Sequence, residues 1–148
     1  MDTEFCECVE NVGCYINKFG YEKYCFENSR IFYEILSQHL ENFVFSLSSG
    51  FLIHENTNEL GLKHKKTLGD LGVSILLLPS KSLDESIKII IKRQLSRGFG
   101  LKKDSEKSKF IKRYSIYKEY GDIKIFSYAK PEIIAEQMKK EIAFYNEG

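Results

Sequence analysis

A short polar turn, Ser48-Ser49-Gly50, follows an apolar stretch that is predicted to be a strand over 43–47. Open α/β sheets bind ligands at the carboxyl ends of their strands, where two hydroxyl groups beside a glycine could hold a small polar molecule. The same three residues are more typical of a tight turn that has no binding role. Both interpretations stay open at this point.

Four cysteines near the start of the chain form the second set of residues that could do chemistry: Cys6, Cys8, Cys14 and Cys25. A zinc site usually takes its ligands from two closely spaced pairs, and only Cys6 and Cys8 are paired here. The spacing therefore favours reduced, mostly buried intracellular thiols, and no metal is expected.

The clearest element of the scaffold is a strand followed by a helix. The almost continuous apolar run 73–78 predicts a strand buried on both faces, as in parallel sheets covered by helices. Pro79 ends the strand because it cannot donate a backbone hydrogen bond. Ser82 is a favourable N-cap for the helix that follows, and Glu85 completes a capping box. This unit is half of a β-α-β crossover.

Hydrophobic spacing and helix start and stop signals predict the other elements. They are helical turns over Val12–Phe19, a helix over Glu27–Leu40, a strand over Phe43–Leu47, a polar connection over Glu55–Leu71, a mobile charged segment over Lys102–Lys109, a helix over Phe110–Tyr120, a strand over Asp122–Phe126 and a closing helix over Ile133–Phe144. This alternation predicts an α/β fold of three layers (α/β/α). Its middle layer is a small parallel sheet with 73–78 as the innermost strand. The length of 148 residues predicts one domain over 1–148.

Composition limits the classes of partner. The net charge is only +1, which argues against a nucleic acid or a membrane surface held by bulk electrostatics. The longest apolar run is too short to span a bilayer, and Met1-Asp2-Thr3-Glu4 does not begin a signal peptide. The sequence therefore predicts a cytoplasmic protein with neither a nucleic-acid nor a membrane partner.

Several segments, in matching order across essentially the whole chain, resemble motifs of the shikimate kinase family. They are Asp2-Thr3-Glu4 (similar to Asp-x-Asp), Gly13 to Phe19, Gly20 to Asn28, Ser48-Ser49-Gly50 (in place of three glycines under the substrate), Arg97-Gly98-Phe99-Gly100 (similar to the Arg-Pro-Leu-Leu of the lid), and Arg113 to Tyr117 with Gly121-Asp122-Ile123. The resemblance implies a P-loop kinase fold. It also implies transfer of the ATP γ-phosphoryl group to a hydroxyl of shikimate, in aromatic amino acid biosynthesis.

The same resemblance assigns roles to individual residues. Asp2 and the lid residue Arg97 would be catalytic. The substrate-binding residues would be Glu4, Ser48, Ser49, Gly50 and Arg113.

The chain departs from the family pattern at the parts that handle ATP. It contains no GxxxxGK[ST] sequence, which supplies the phosphate cradle and a Mg²⁺ ligand. ATP and Mg²⁺ are therefore expected only if a longer chain supplies that loop, and otherwise no cofactor is expected. The substrate side differs too: Cys25 and Asn28 stand where the family has an arginine and a glutamate, Glu4 replaces the second aspartate, and Ser48 and Ser49 replace two of three glycines.

Two functions remain open. One is a shikimate-kinase-like protein that is inactive as written, because phosphoryl transfer depends almost entirely on positioning and charge stabilisation by the missing loop. The alternative is a non-catalytic domain on the same scaffold, which binds a small anionic metabolite or has a structural role. The family's first strand is missing too, so a homo-oligomer could complete the sheet.

Overall fold

The computed structural model describes residues 1–38, 43–53, 58–96 and 102–147. The chain divides into two compact units, Met1–Thr67 and Leu68–Gly148. The single domain expected over 1–148 stays a prediction.

The described part of the N-terminal unit is helical. Its elements are α1 (Asp2–Cys8), α2 (Val12–Phe19), α3 (Tyr21–Gln38) and the first part of α4 (Asn58–Leu71), which continues into the second unit. The Asn11 side chain caps α2 by accepting hydrogen bonds from the backbone of Gly13 and Cys14. Gly20 ends α2 with a φ of 88°, a conformation that glycine adopts without strain.

Two of the predicted helices are confirmed in this unit. Helix α2 has the predicted bounds, whereas α3 begins at Tyr21 rather than Glu27. The predicted end of α3 at Leu40 lies outside the described residues. The predicted polar connection 55–71 is the helix α4 from Asn58 onward, and its first residues lie outside the described ranges.

The core of the N-terminal unit forms where α1 and α2 pack on α3. Phe5 is completely buried against the rings of Tyr15 and Tyr24, with ring centroids 5.3 and 5.1 Å away. Phe32, also completely buried, packs against Phe51 at 4.8 Å. Aromatic contacts of this kind contribute about 0.5–1.5 kcal/mol each beyond the area they bury.

The strand predicted over 43–47 is wrong: these residues form no strand. Phe45 packs edge-on against Phe32 with a centroid distance of 5.0 Å, while the Val44 side chain is 98% exposed. A strand is stabilised by pairing with a neighbour, and the described part of this unit offers none. In place of a strand, this stretch packs single apolar side chains such as Phe45 against α3.

The C-terminal unit contains a parallel pair of strands, β1 (Ile75–Leu78) and β2 (Ile123–Phe126), in the register Ile75 to Ile123. The described residues thus confirm an α/β arrangement with a small parallel sheet. The three-layer arrangement stays a prediction. Gly121 precedes β2 with a φ of 88°, and a Cβ there would lie 2.7 Å from the backbone nitrogen of Leu76, so only glycine fits.

The prediction that 73–78 is the innermost strand and is buried on both faces is wrong. Within the described ranges β1 is hydrogen-bonded to β2 alone. Leu77 is 43% exposed, whereas Leu78 is buried against Phe110 and Tyr114. A sheet of two strands leaves each strand with one unpaired edge, and here one face of β1 is only partly covered.

Three helices complete the described part of this unit: α5 (Leu83–Ser96), α6 (Lys103–Tyr117) and α7 (Pro131–Glu147). Ser82 caps α5, since its hydroxyl accepts from the Glu85 backbone at 3.4 Å. The predicted capping box is wrong, because the Ser82 backbone donates to the Ser80 hydroxyl and the Glu85 carboxylate accepts from Ser80 at 2.6 Å. The helices predicted after Ser82 and after Pro131 are confirmed. The predicted end of α5 at Gly98 and Gly100 lies outside the described residues.

The mobile segment predicted over 102–109 is wrong, because α6 begins at Lys103. Glu106 and Phe110 are buried on one side of α6, and Glu106 pairs with Lys109 at 2.8 Å. Tertiary packing thus stabilises a charged segment whose own pattern lacks apolar periodicity. Among the helices of the described ranges, none combines the length and the apolar character needed to cross a membrane.

Asp122 links the starts of the two strands. Its carboxylate accepts hydrogen bonds from the Ser74 backbone at 2.8 Å and from the Ser74 hydroxyl at 2.6 Å. These bonds hold the pKa of Asp122 below its ordinary value, chiefly through the Ser74 hydroxyl. They also connect the two strands one residue before the first paired residues, Ile75 and Ile123.

We expect Asp122→Ala to lower the free energy of unfolding by about 1 kcal/mol at neutral pH, the usual contribution of a hydrogen bond. A lowered folded-state pKa means that this stability is present above the unfolded-state pKa of about 3.9 and is lost as the pH falls through the folded-state value. Urea denaturation at neutral pH and at about pH 3 measures the difference. Asp70→Ala, an exposed control on α4, should change little at either pH. If Asp122→Ala lowered the free energy of unfolding equally at both pH values, the ionised Asp122 carboxylate would not be the source of this stability.

Candidate functional site

A polar cluster in the N-terminal unit brings together two of the residues singled out in the sequence, Asp2 and Ser48. Both interact with Tyr24, a residue of α3 that is 7% exposed. The Ser48 side chain favours the ionised form of the Tyr24 hydroxyl and so lowers its pKa, whereas the Asp2 carboxylate disfavours a second negative charge there. Burial, and then Asp2, raise the pKa of Tyr24 to about 12, so the phenol is neutral at physiological pH.

Asn28 is the fourth member of this Asp2–Tyr24–Asn28–Ser48 cluster. It lies one helical turn after Tyr24 and is only 2% exposed. Its Nδ2 donates to the Ser48 hydroxyl at 3.5 Å, and within the described ranges its Oδ1 has no hydrogen-bond partner. A buried acceptor without a donor costs about 1–3 kcal/mol, which makes it rare in folded proteins.

Local sequence explains how these residues are positioned. Asp2 begins α1, whose buried Phe5 anchors that helix against Tyr24. Ser48 starts a turn in which its carbonyl accepts from the Phe51 backbone at 3.0 Å, and buried Phe51 fixes that turn against α3. Phe5, which precedes Tyr24 in the sequence, and Phe51, which follows Asn28, therefore hold the cluster in place.

The chemistry of the cluster is that of a hydrogen-bond acceptor site. The Asn28 Oδ1, the Asp2 carboxylate and the Ser48 hydroxyl oxygen all accept hydrogen bonds. Groups that donate, above all the hydroxyls of a small polyhydroxylated molecule, complement them. The Asp2 carboxylate is exposed and only accepts hydrogen bonds, so it suits a ligand hydroxyl rather than a ligand carboxylate.

A buried serine–histidine pair lies beside the cluster. Ser29 Oγ and His64 Nε2 are 2.8 Å apart, and His64 Nδ1 is 3.2 Å from the Phe51 carbonyl. A carbonyl only accepts, so Nδ1 carries the proton and Nε2 accepts from the Ser29 hydroxyl. Such a pairing activates nucleophiles in hydrolases. Here His64 is completely buried and Ser29 is 6% exposed, so the pair lies within the core of the N-terminal unit.

The remaining predicted site residues lie on α1, in the turn after Ser48, on α6 and outside the described residues. Glu4 is exposed on α1, two residues from Asp2, and side chains at that spacing point away from each other. Ser49 is exposed and Gly50 is half-buried in the turn after Ser48. Arg113 is half-buried on α6 of the C-terminal unit, and its role as substrate anchor stays a prediction. Arg97 lies outside the described residues.

Among the described side chains, no group of three or more His, Cys, Asp or Glu residues could hold a metal ion. Of the four cysteines only Cys25 is buried, so the prediction of mostly buried thiols is wrong. The reason is visible in α1, where Phe5 fills the core and the neighbouring Cys6 and Cys8 side chains face outward.

Tyr24, Ser29 and His64 take part in polar interactions that were not predicted from the sequence. An asparagine one turn from a tyrosine on the buried face of α3 was the available signal for the cluster. Nothing in the sequence marks Ser29 and His64 as partners, because 35 positions separate them.

The pKa of Tyr24 has a measurable consequence. A raised folded-state pKa means that the contribution of Tyr24 to stability is complete below pH 10 and is lost as the pH rises towards 12. We expect the wild type to lose about 1 kcal/mol more than Tyr24→Phe when the pH is raised from neutral to about 11. Urea denaturation at the two pH values measures this, with the exposed Tyr128→Phe as control. If the wild type and Tyr24→Phe lost the same free energy of unfolding, the pKa of Tyr24 would not be raised in the folded protein.

Comparison of the chain with protein-family models, curated proteins and solved structures found no match. The relationship to shikimate kinases therefore stays a prediction based on the sequence motifs.

Proposed function

We propose that this chain is a non-catalytic binding domain for a small polyhydroxylated acid, on a scaffold related to that of shikimate kinases. The observation that supports it best is the buried Asn28 Oδ1, which has no donor within the described ranges and lies next to Ser48. A ligand hydroxyl that donates to this oxygen removes the cost of its burial.

Two further observations support a hydroxylated ligand. Tyr24 is neutral, so its hydroxyl can both donate and accept beside Ser48. The Asp2 carboxylate adds a charged acceptor, and hydrogen bonds to charged groups contribute about 1.5–3 kcal/mol. Asp2 and Ser48 are also positions that the resemblance assigns to catalysis and substrate binding.

Phosphoryl transfer is not part of the proposal. The residues that hold ATP and Mg²⁺ in P-loop kinases do not fit, since the sequence has no GxxxxGK[ST] and the described residues form no carboxylate group for a metal. We therefore assign Asp2 a role in binding a ligand hydroxyl and derive no step through a nucleotide.

Isothermal titration of the full chain tests this proposal. We expect shikimate, a cyclic acid with three hydroxyl groups, to bind, and cyclohexanecarboxylate, a cyclic acid without hydroxyls, to bind at least about tenfold more weakly. The ring acid without hydroxyls is the matched control because it retains the carboxylate. Equal affinity for the two acids, or no binding of shikimate, would overturn the proposal.

A further inference from the structure

The C-terminal unit contains an open groove of about 660 Å³ between α5 and α6. Its floor is apolar and consists of Ile87, Ile91 and Leu95, which recur every four residues along α5. Leu95 is 42% exposed although it is a large apolar side chain. These three residues span about 12 Å of helix, which is about two helical turns.

Lysines line both sides of this floor. Lys88 and Lys92 lie one turn apart on α5, and Lys103 and Lys107 lie one turn apart on α6. Asp84 continues the row of Lys88 and Lys92 at one end of the groove. With four lysines and one aspartate, the groove has a net charge of 4 − 1 = +3, although the whole chain has only +1.

These lysines are not neutralised by acidic side chains of the described ranges. None of the four takes part in a salt bridge there, while Lys109 on the same helix is paired with Glu106 at 2.8 Å. The groove therefore combines lysines that are unpaired within the described ranges with an apolar floor in which Leu95 is exposed, Ile87 is half-buried and Ile91 is buried.

From this complementarity we infer that the groove between α5 and α6 binds an acidic amphipathic helix of a partner protein. A helix that lays an apolar stripe on Ile87, Ile91 and Leu95 places its flanking residues opposite the two lysine rows, and Glu or Asp there would pair with the ammonium groups. The four-residue spacing of the lysines matches the repeat of such a helix. The apolar floor argues against a nucleic acid, whose phosphates would gain nothing from it.

The probe is a synthetic helical peptide of about 15 residues, with a leucine stripe flanked by glutamates on both sides. We expect it to bind the full chain in a fluorescence anisotropy titration, and a scrambled peptide of the same composition to bind at least about tenfold more weakly, because scrambling destroys the stripe but keeps the charge. Equal binding of the scrambled peptide would overturn the inference.

Variants locate the contact. The double variant Lys92→Glu/Lys107→Glu should weaken peptide binding by about tenfold or more, since it replaces attraction by repulsion in both rows. The control Lys112→Glu/Lys130→Glu changes the net charge equally at exposed positions outside the groove and should change binding by less than about twofold. Leu95→Asn should weaken binding by about fivefold through loss of apolar contact. Equal effects of the two double variants would overturn the inference.

Two further measurements test for other occupants of the groove. Vesicles containing phosphatidylserine that bind the full chain and displace the peptide would show a lipid surface instead. Sedimentation that shows a dimer dissociated by Lys92→Glu/Lys107→Glu would show that a second copy of the chain fills the groove. Either result would overturn the inference.

Discussion

Replacing His64 with alanine is expected to lower the free energy of unfolding by about 3–4 kcal/mol, close to the range for removing a buried aromatic ring. His64 is completely buried and lies parallel to the Phe51 ring at a centroid distance of 4.0 Å. The variant loses that stack, leaves a cavity and removes the partners of the Ser29 hydroxyl and the Phe51 carbonyl. Urea denaturation measures the loss, and hydrogen exchange of α3 amides assigns it to the N-terminal unit.

Two variants separate the causes of this loss. His64→Phe keeps a ring on Phe51 but removes both polar contacts, so we expect a smaller loss of about 1–3 kcal/mol. Lys66→Ala, at an exposed position on the same helix, should change stability by less than about 0.5 kcal/mol. If His64→Ala were as stable as Lys66→Ala, the buried serine–histidine pair would not be part of the folded structure.

Replacing Asn28 with leucine is expected to raise the free energy of unfolding by about 1–2 kcal/mol and to weaken the binding of shikimate. Leucine has a similar size, and it removes the buried Oδ1 that has no partner within the described ranges. The bond lost with Ser48 is long, at 3.5 Å, and contributes little. In the bound state the same oxygen would accept a ligand hydroxyl, so the variant should bind shikimate at least about tenfold more weakly. Thermal unfolding and isothermal titration measure the two effects.

The control for this prediction is Asn17→Leu, at an exposed position on α2. We expect it to leave ligand affinity unchanged and to change stability by less than about 0.5 kcal/mol. A loss of stability in Asn28→Leu would show that the amide is satisfied in the folded protein. Unchanged shikimate affinity would show that the ligand binds away from the Asp2–Tyr24–Asn28–Ser48 cluster.

Elements whose signals are local could be predicted from the sequence. The start of α5 follows from Ser82 and Glu85, and the start of α7 follows from Pro131, because capping and backbone restriction act within one helical turn. The parallel pair of β1 and β2 was also predictable, since β1 is a short apolar run and β2 alternates apolar residues with Lys124, each next to helical segments.

Long-range packing determines which apolar patterns form strands and which polar residues come into contact. The stretch 43–47 has the alternation of a strand, but Phe45 packs on α3 instead of pairing in a sheet. Asn28 meets Ser48 across 20 positions and Ser29 meets His64 across 35, through the packing of aromatic rings such as Phe51. Local sequence carries no record of such distant contacts, because they arise when separate helices bury their apolar faces together.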